Sequence, residues 1–334
     1  MTQEHYTFRE IDRAVAMTKS ILIPFDIGIW LRLALIALFV GGAAGGMQFS
    51  SGSLSPEDLG DGETFSSVIP QNPEALLSAL LLIAGILLCI GLVYLLLNGI
   101  FQFIFIKALG AGNIRIRTYF RESTGPGIRY FAFLFLLSAF FLIISLIPAY
   151  FLFAPLLGTI NPDPVLAGTI LTFAILMFIL LIPNLIILML TTDFVVPIMN
   201  IDRCGVIAGW QKCLHLISRE KTEAALYIVM KLILAICVSI ILSLVMVIVG
   251  IGAGLPLMGI LIAAGGPQNL SLAAMALLFA AYLAVVSFCG LMASVPFMTF
   301  LRTYSLYVIG DFDERYILLP DLLSPDRDTI SGVK

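Results

Sequence analysis

The chain has 334 residues and a net charge of −3; 60% of its residues are apolar, and 12% are charged. Soluble globular proteins carry about 45–50% apolar and about 25% charged residues. This composition excludes a soluble domain, a coiled coil, a disordered chain and a nucleic-acid-binding protein. It indicates a polytopic membrane protein.

Six stretches reach the length of about 20 mostly apolar residues that a transmembrane helix requires. We predict spans over Ile27–Phe49, Ala75–Ile106, Tyr130–Phe153, Val165–Ile198, Ala224–Gly250 and Leu272–Leu301. The predicted fold is therefore all-α, with six transmembrane helices arranged as three hairpins. The second and fourth spans exceed the bilayer thickness, so we expect them to tilt, kink or project. The uncharged stretch 250–267 is a candidate re-entrant segment.

The basic residues give an orientation for these spans. All 18 Lys and Arg residues lie in the N-terminal segment and the start of the first span, in the 2–3 connection, in the region from the fourth span into the start of the fifth, or in the C-terminal part. Positively charged residues remain on the cytoplasmic side of a membrane. We therefore predict a multi-pass protein of the cell membrane with both termini in the cytoplasm.

The segments on this predicted inner side are amphipathic. Residues 8–25 predict an interfacial helix with Phe8, Ile11, Val15 and Leu22 on its apolar face. In the next such segment Val206, Trp210, Leu214 and Ile217 share a face, and the end of the chain repeats the pattern with Tyr304, Tyr307 and Val308. The candidate interface anchors are Arg13, Lys19, Arg203, Trp210 and Arg302. These segments form either a packed collar or a docking surface for anionic lipids or a partner protein.

A threefold repeat is a further prediction. Residues 196–203 resemble residues 295–302, since both contain Val-Pro near the end of an inward span and finish with Arg. The implied units are 8–107, 108–203 and 204–302, within one transmembrane domain over 1–310 that precedes a cytoplasmic tail over 311–334. Chance similarity between apolar segments is the alternative.

Four polar residues within the spans are candidate functional groups, because intramembrane polar side chains are rare and often functional. They are Asn98, Gln102, Asn184 and Asp193. The amides either bridge helices or line a polar path. Asp193 either forms a structural ion pair, with Lys107, Arg203 or Arg302, or forms a proton or ion site. Arg32 and Lys231 lie near the inner ends of spans, where snorkelling to the interface explains them.

Motifs for catalysis and metal binding are absent from the sequence. It contains two histidines, no C-x-x-C pair, no phosphate-binding loop and no H-E-x-x-H or G-x-S-x-G motif. We therefore expect no enzyme activity, no metal and no cofactor.

The segment from Asp193 to Met199, with Trp210 after it and Pro296–Gly310 near the end, resembles a poorly characterised, mainly archaeal group of six-span membrane proteins. That group is more distantly similar to the membrane domain of some glycerophosphodiester phosphodiesterases. The resemblance implies a six-span fold in an archaeal or bacterial membrane, and it implies no reaction.

Two hypotheses about function follow. The first is a non-enzymatic membrane scaffold or accessory subunit that binds membrane lipids and a membrane-protein partner or a second copy of itself. The second is a transporter or lipid-handling protein, in which Asp193, Asn98, Gln102 and Asn184 converge on one polar site between the hairpins.

Overall fold

The computed structural model describes residues 6–41, 73–111, 115–153, 165–266 and 269–319, and every regular element in these ranges is helical. This confirms the all-α prediction. The helices are α1 (Tyr6–Leu22), α2 (Ile27–Val40), α3 (Pro73–Ala111), α4 (Ile116–Phe153), α5 (Val165–Leu190), a π-helical turn (Thr191–Val195), α6 (Val196–Asp202), α7 (Val206–Arg219), α8 (Lys221–Ala263), α9 (Leu272–Phe312) and a 3-10 turn (Glu314–Tyr316).

Five helical runs are long and apolar enough to cross a membrane: α3, α4, the run from α5 through α6, α8 and α9. The first predicted span appears as the 14-residue α2, and its remainder to Phe49 lies outside the described residues. The longest helix, α8, has 43 residues. At 1.5 Å per residue it measures about 65 Å, roughly twice the hydrocarbon thickness of a bilayer.

The last two long helices continue beyond the predicted ends of their spans. Helix α8 continues beyond Gly250, through Pro256, to Ala263, so residues 250–263 are a continuous helix and not a re-entrant segment. Helix α9 likewise continues beyond Leu301 to Phe312. The extension of α8 contains Gly250, Gly252, Gly254, Gly259 and Pro256, which are weak helix formers, so the sequence suggested an end that the helix does not have. In an apolar setting the continued backbone hydrogen bonds outweigh these local propensities.

Packing is concentrated at one end of the molecule. We call this the basic end: it comprises α1, α6, α7 and the ends of the long helices that carry Lys107, Ile116, Lys221 and Phe312. The core contains residues 100–109 of α3, 190–199 around the π turn and 304–309 of α9. In contrast, 0–11% of the residues are buried in the most apolar stretch of each long helix. The helices are therefore most tightly packed at the basic end, and few side chains are fully buried over their apolar lengths, where α8 and α9 still meet at Gly290 and Met246 and at Tyr282 and Gly250.

Two glycines allow α3 and α4 to approach closely. A Cβ atom at Gly127 would lie 2.7 Å from Cγ1 and 2.9 Å from Cα of Ile100, and one at Gly99 would lie 2.8 Å from the carbonyl oxygen of Gly127. Small residues serve this purpose in membrane helix pairs, where close van der Waals contact stabilises association. A row of rings, Phe39, Phe101 and Phe120, then connects α2, α3 and α4.

Helix α1 packs against α9 through a different face from the predicted one. Its buried residues are Glu10, Ala14, Met17, Thr18 and Leu22, whereas Val15 is exposed. The side chain of Phe8 lies outside the described set. The prediction assigned Glu10 to neither face; its buried carboxylate lies 2.9 Å from Arg13 and 3.2 Å from Arg9.

Helix α7 is also rotated relative to its predicted orientation. The buried positions are Val206, Gly209, Cys213 and Leu216, while Leu214 is 55% exposed. Gly209 explains the difference, because a Cβ atom there would lie 2.8 Å from Cγ1 of Val195. The absence of a side chain lets α7 lie directly against the π-helical turn.

The segment that follows the predicted last span is part of the core. Tyr304, Tyr307 and Val308 are buried within α9 and do not form an interfacial face. Beyond residue 310 the chain remains packed, since Phe312, Tyr316 and Leu319 are buried as well. The described part of the predicted tail is anchored by Asp202 of α6, whose carboxylate contacts the three side chains Lys212, Arg315 and Tyr316.

The α3–α4 contact predicts opposite effects for two neighbouring glycines. Gly127→Ala should lower the free energy of unfolding by about 1–3 kcal/mol, because the added methyl group collides with the backbone of Ile100. Gly125→Ala meets no atom within 4 Å and should be neutral or stabilising by up to about 1 kcal/mol. Thermal unfolding in detergent measures both, and equal effects would contradict the close contact.

The docking of α1 predicts a pH-dependent stability. Burial and the neighbouring Asp311 raise the pKa of Glu10 to about 7, against the opposing effect of Arg13 and Arg9. The folded chain then holds more protons than the unfolded chain between the usual carboxyl pKa and pH 7. Stability should therefore fall as the pH rises through this interval. Unfolding temperatures at pH 5 to 8 measure the effect, and Glu10→Gln should flatten the dependence.

Glu122→Gln is the control for this pH series. Glu122 forms a 3.2 Å ion pair with Lys107, but its side chain is 56% exposed, so removing its charge should leave the pH dependence of the wild type in place. An unchanged slope in Glu10→Gln would refute the role of Glu10.

Candidate functional site

The candidate site forms where the α5 helix widens into the π-helical turn. The N–H of Val196 donates to the carbonyl oxygen of Thr191, five residues earlier. In this register the carbonyl of Thr192 would receive its hydrogen bond from residue 197, which is a proline without an N–H. The π turn and Pro197 together leave the Thr192 carbonyl available to a partner outside the helix.

Arg302 of α9 provides that partner. Its Nη1 donates to the carbonyl oxygen of Thr192 at 2.7 Å and lies 3.5 Å from Oδ1 of Asp193. Arg302 had been predicted both as an interface anchor and as a possible partner for Asp193. Its side chain is 4% exposed, so it is part of the core and not of the interface. The local break in α5 explains why a guanidinium is accommodated here.

Asp193 lies at the centre of the cluster and contacts residues from two other helices. Its Oδ2 accepts a hydrogen bond from the Tyr227 hydroxyl at 2.8 Å and lies 3.3 Å from Nζ of Lys231. Arg302 approaches the other carboxylate oxygen. The carboxylate therefore connects the π-helical turn with α8 and α9.

Lys231 is buried in this cluster and does not snorkel to the interface. Its Nζ donates to the carbonyl oxygen of Leu301 at 2.7 Å and to the hydroxyl of Ser305 at 2.6 Å, in addition to its contact with Asp193. These acceptors satisfy the three protons of an ammonium group. They replace the hydrogen bonds that the ammonium group would make with water if the side chain reached the interface.

Tyrosines enclose the charged groups. The Tyr130 hydroxyl of α4 lies 3.2 Å from Oγ1 of Thr192, and the ring of Tyr227 stacks on Tyr304 with centroids 5.8 Å apart. Phe194 meets Tyr227 edge to face at 4.9 Å. Four long helical runs, α4, α5, α8 and α9, thus contribute to one buried polar cluster.

The formal charges of this cluster do not cancel. Two cations, Lys231 and Arg302, share one carboxylate, and the side chains of all three residues are at most 10% exposed. Within the part of the chain that the structure describes, Nε and Nη2 of Arg302 have no hydrogen-bond partner. Because isolated buried charges are strongly unfavourable, the Asp193 carboxylate is essential to this arrangement.

The observed contacts of the cluster are ion pairs and hydrogen bonds between helices. Across the described ranges, no group of three His, Cys, Asp or Glu side chains could hold a metal ion. The hydroxyls of Tyr227 and Tyr130 are engaged with Asp193 and Thr192. The geometry holds helices at a fixed register and places a positive charge in the core.

Asn98 and Gln102 lie elsewhere, at the end of α2. Asn98 Nδ2 donates to the carbonyl oxygen of Phe39 at 2.6 Å, and Gln102 Nε2 donates to that of Val40 at 3.5 Å. The Tyr94 hydroxyl, one turn earlier on α3, donates to the carbonyl of Leu38 at 2.9 Å. Carbonyls in the last turn of a helix lack donors within that helix, and α3 supplies three of them here.

Asn184 is separate from both groups. It is half-buried and precedes Asp193 by nine residues of helix, which corresponds to about 13 Å. The four polar residues predicted for one site are thus found in three places. Of these four residues, only Asp193 belongs to the charged cluster.

The other predicted anchors occupy varied environments. Arg13 is partly buried beside Glu10, and Lys19 is exposed on α1. Arg203 is exposed and terminates α6 in the left-handed region, with φ of 50°. Trp210 is half-buried on α7. A role at the membrane interface remains a prediction for these four residues.

Three members of the cluster, Tyr130, Tyr227 and Ser305, were not among the predicted site residues, and Lys231 was predicted to snorkel. The available signal was the spacing of Tyr227 and Lys231, which lie four apart and therefore share a face of α8. A basic residue and a tyrosine on one face of an apolar helix, together with an intramembrane carboxylate, would have suggested the contact.

The charge imbalance predicts unequal effects for the members of the cluster. Asp193→Asn should lower the free energy of unfolding by about 3–5 kcal/mol, because it leaves two cations buried without a counter-charge. Lys231→Met should cost less than about 2 kcal/mol, because it leaves Asp193 paired with Arg302 and Ser305 already donates to Leu301. Unfolding in detergent measures both variants.

Asn184→Leu is the control for this comparison and should change stability by less than about 1 kcal/mol, since Asn184 lies outside the cluster. A stability of Asp193→Asn equal to that of the wild type would show that the carboxylate does not hold the cations.

Comparison with known proteins gives a family without a known function. No curated protein and no solved structure matches the chain. A family model described as a family of unknown function, DUF7544, matches residues 5–319, which include every contact of the cluster. The chain therefore belongs to the DUF7544 family.

Proposed function

We propose that this protein is a non-enzymatic integral membrane scaffold or accessory subunit. The observation that carries the proposal is the contrast between the tightly packed basic end and the apolar helix lengths, where 0–11% of residues are buried. Helices in lipid gain little from hydrophobic contact with one another, so such surfaces remain available to the helices of another protein. The partner is a membrane protein or a second copy of this chain, together with membrane lipids.

The polar residues support this proposal over transport. A transport site would bring Asp193, Asn98, Gln102 and Asn184 to one place, whereas Asn98 and Gln102 bind the end of α2 and Asp193 binds α8 and α9. Each of these bonds joins one helix to another. Interhelical hydrogen bonds of this kind stabilise a fixed arrangement.

The membrane arrangement is part of the proposal. The protein would cross the cell membrane six times, as three hairpins, with α2 and the residues after it as the first span. The distribution of Lys and Arg supports a cytoplasmic location for the basic end and both termini. The threefold repeat over 8–107, 108–203 and 204–302 and the archaeal or bacterial origin stay predictions.

Site-specific photocrosslinking in native membranes tests the scaffold proposal. Leu88 of α3 and Leu244 of α8 are 66% and 63% exposed within the apolar lengths. A benzophenone amino acid at either position should give a discrete protein adduct, because these surfaces would contact partner helices. An adduct of twice the 36.3 kDa chain mass would identify a second copy.

Ile207 provides the matched control, because it is 77% exposed but lies on α7 at the basic end. It should not give the adduct obtained from Leu88 and Leu244. Lipid adducts alone at both test positions would refute the proposal, since the apolar lengths would then face lipid and no partner.

A further inference from the structure

A cleft at the basic end is lined by three arginines that the cluster around Asp193 does not use. It has a volume of about 400 Å³, and its lining residues are Arg32 of α2, Arg115 just before α4, and Ile116, Arg117 and Thr118 in the first turn of α4. The cleft is open to its surroundings, and its three arginines are exposed. Among the described residues that line the cleft there is no carboxylate.

The backbone adds to the positive character of this cleft. The first helical hydrogen bond of α4 runs from the N–H of Tyr119 to the carbonyl of Arg115. The N–H groups of residues 116–118 therefore precede the intrahelical ladder and point toward the start of the helix. A helix N-terminus favours anions, and guanidinium groups bind phosphate oxygens through paired N–H donors. Arg32 of α2 and the start of α4 thus both direct positive charge toward the cleft.

Exposed apolar side chains lie beside the arginines. Leu35 follows Arg32 by one turn along α2 and is 41% exposed, and Phe120 follows Arg117 by one turn along α4 and is 37% exposed. Both helices run away from the cleft in the same direction, since Phe39 and Phe120 each contact Phe101 of α3. The apolar stretch of α4 lies further along that direction. The cationic cleft is therefore followed along both helices by exposed apolar side chains, in the order of a phospholipid's headgroup and chains.

We propose that this cleft binds the phosphate headgroup of an anionic glycerophospholipid. The phosphodiester and its negative charge would lie among Arg32, Arg115 and Arg117, and the start of the acyl chains would lie along Leu35 and Phe120. Free phosphate would use the arginines but gain nothing from the apolar residues, so the adjacent apolar surface favours the lipid. Basic sites between helices at a membrane surface recognise such headgroups.

Lipid binding to the purified chain in detergent tests the proposal. Native mass spectrometry with phosphatidylglycerol and phosphatidylcholine should show a clear preference for phosphatidylglycerol in the wild type. The triple variant Arg32→Gln, Arg115→Gln, Arg117→Gln should weaken phosphatidylglycerol binding on the order of 100-fold, at roughly tenfold or less per charge removed. Phosphatidylcholine binding should remain unchanged.

A second triple variant removes the same charge from other exposed positions at the basic end: Arg129→Gln, Arg219→Gln, Lys221→Gln. It should retain phosphatidylglycerol binding. An equal loss in both triple variants would overturn the proposal, because net charge and not the cleft would then determine binding. An absence of preference in the wild type would overturn it as well.

Two further arms separate the lipid from a free anion and a folding defect. Millimolar inorganic phosphate should not displace phosphatidylglycerol, and displacement would overturn the assignment to a lipid. The double variant Arg115→Gln, Arg117→Gln keeps α2 unchanged and should still lose binding while retaining the wild-type unfolding temperature. Retained binding in this double variant would contradict the role of α4.

Discussion

The carboxylate of Asp193 lies between Lys231 and Arg302, which belong to two different long helices, and it receives a hydrogen bond from Tyr227 as well. Two buried cations depend on this one negative charge. Without it, the ends of α8 and α9 would each carry an uncompensated charge into the core. The register between the π-helical turn, α8 and α9 therefore follows from the position of a single side chain.

The π-helical turn makes this position possible. Pro197 cannot donate a hydrogen bond, so the widened turn leaves the Thr192 carbonyl for Arg302. Widened turns of this kind are frequent at functional sites because they present backbone groups that a regular helix conceals. Here the freed carbonyl and the carboxylate of the next residue bind one guanidinium. Backbone and side chain thus act together to hold α9 against α5.

Apolar composition predicts the helices of this protein well and their contacts poorly. The long helices follow directly from uninterrupted apolar stretches, and the pairing of Asp193 with Arg302 was among the alternatives that the sequence offered. The sequence does not indicate which face of a uniformly apolar helix packs against its neighbours, because hydrophobic residues occur on every face. The helices α1 and α7 are amphipathic and do show an apolar face, but the faces they bury differ from it. The close contact of Gly209 with Val195 and the burial of Glu10 beside Arg13 are tertiary contacts that the sequence does not reveal. Lys231 lies near a helix end, so its side chain was expected to reach solvent. Hydrogen-bond acceptors on α9 hold its ammonium group in the core instead.

The small buried share of the apolar helix lengths has a consequence for the membrane. Bilayers differ in thickness by several Å between compartments and lipid compositions, and a helix adapts mainly by changing its tilt. In a uniformly packed bundle, the tilt of one helix is restrained by its neighbours along its whole length. In this protein the tightest packing lies around Asp193, Gly127 and the end of α2, and α8 and α9 also meet at Gly290 and Met246. Few side chains are fully buried along the apolar lengths, so a change of tilt there disturbs less packed core than a change at the basic end would.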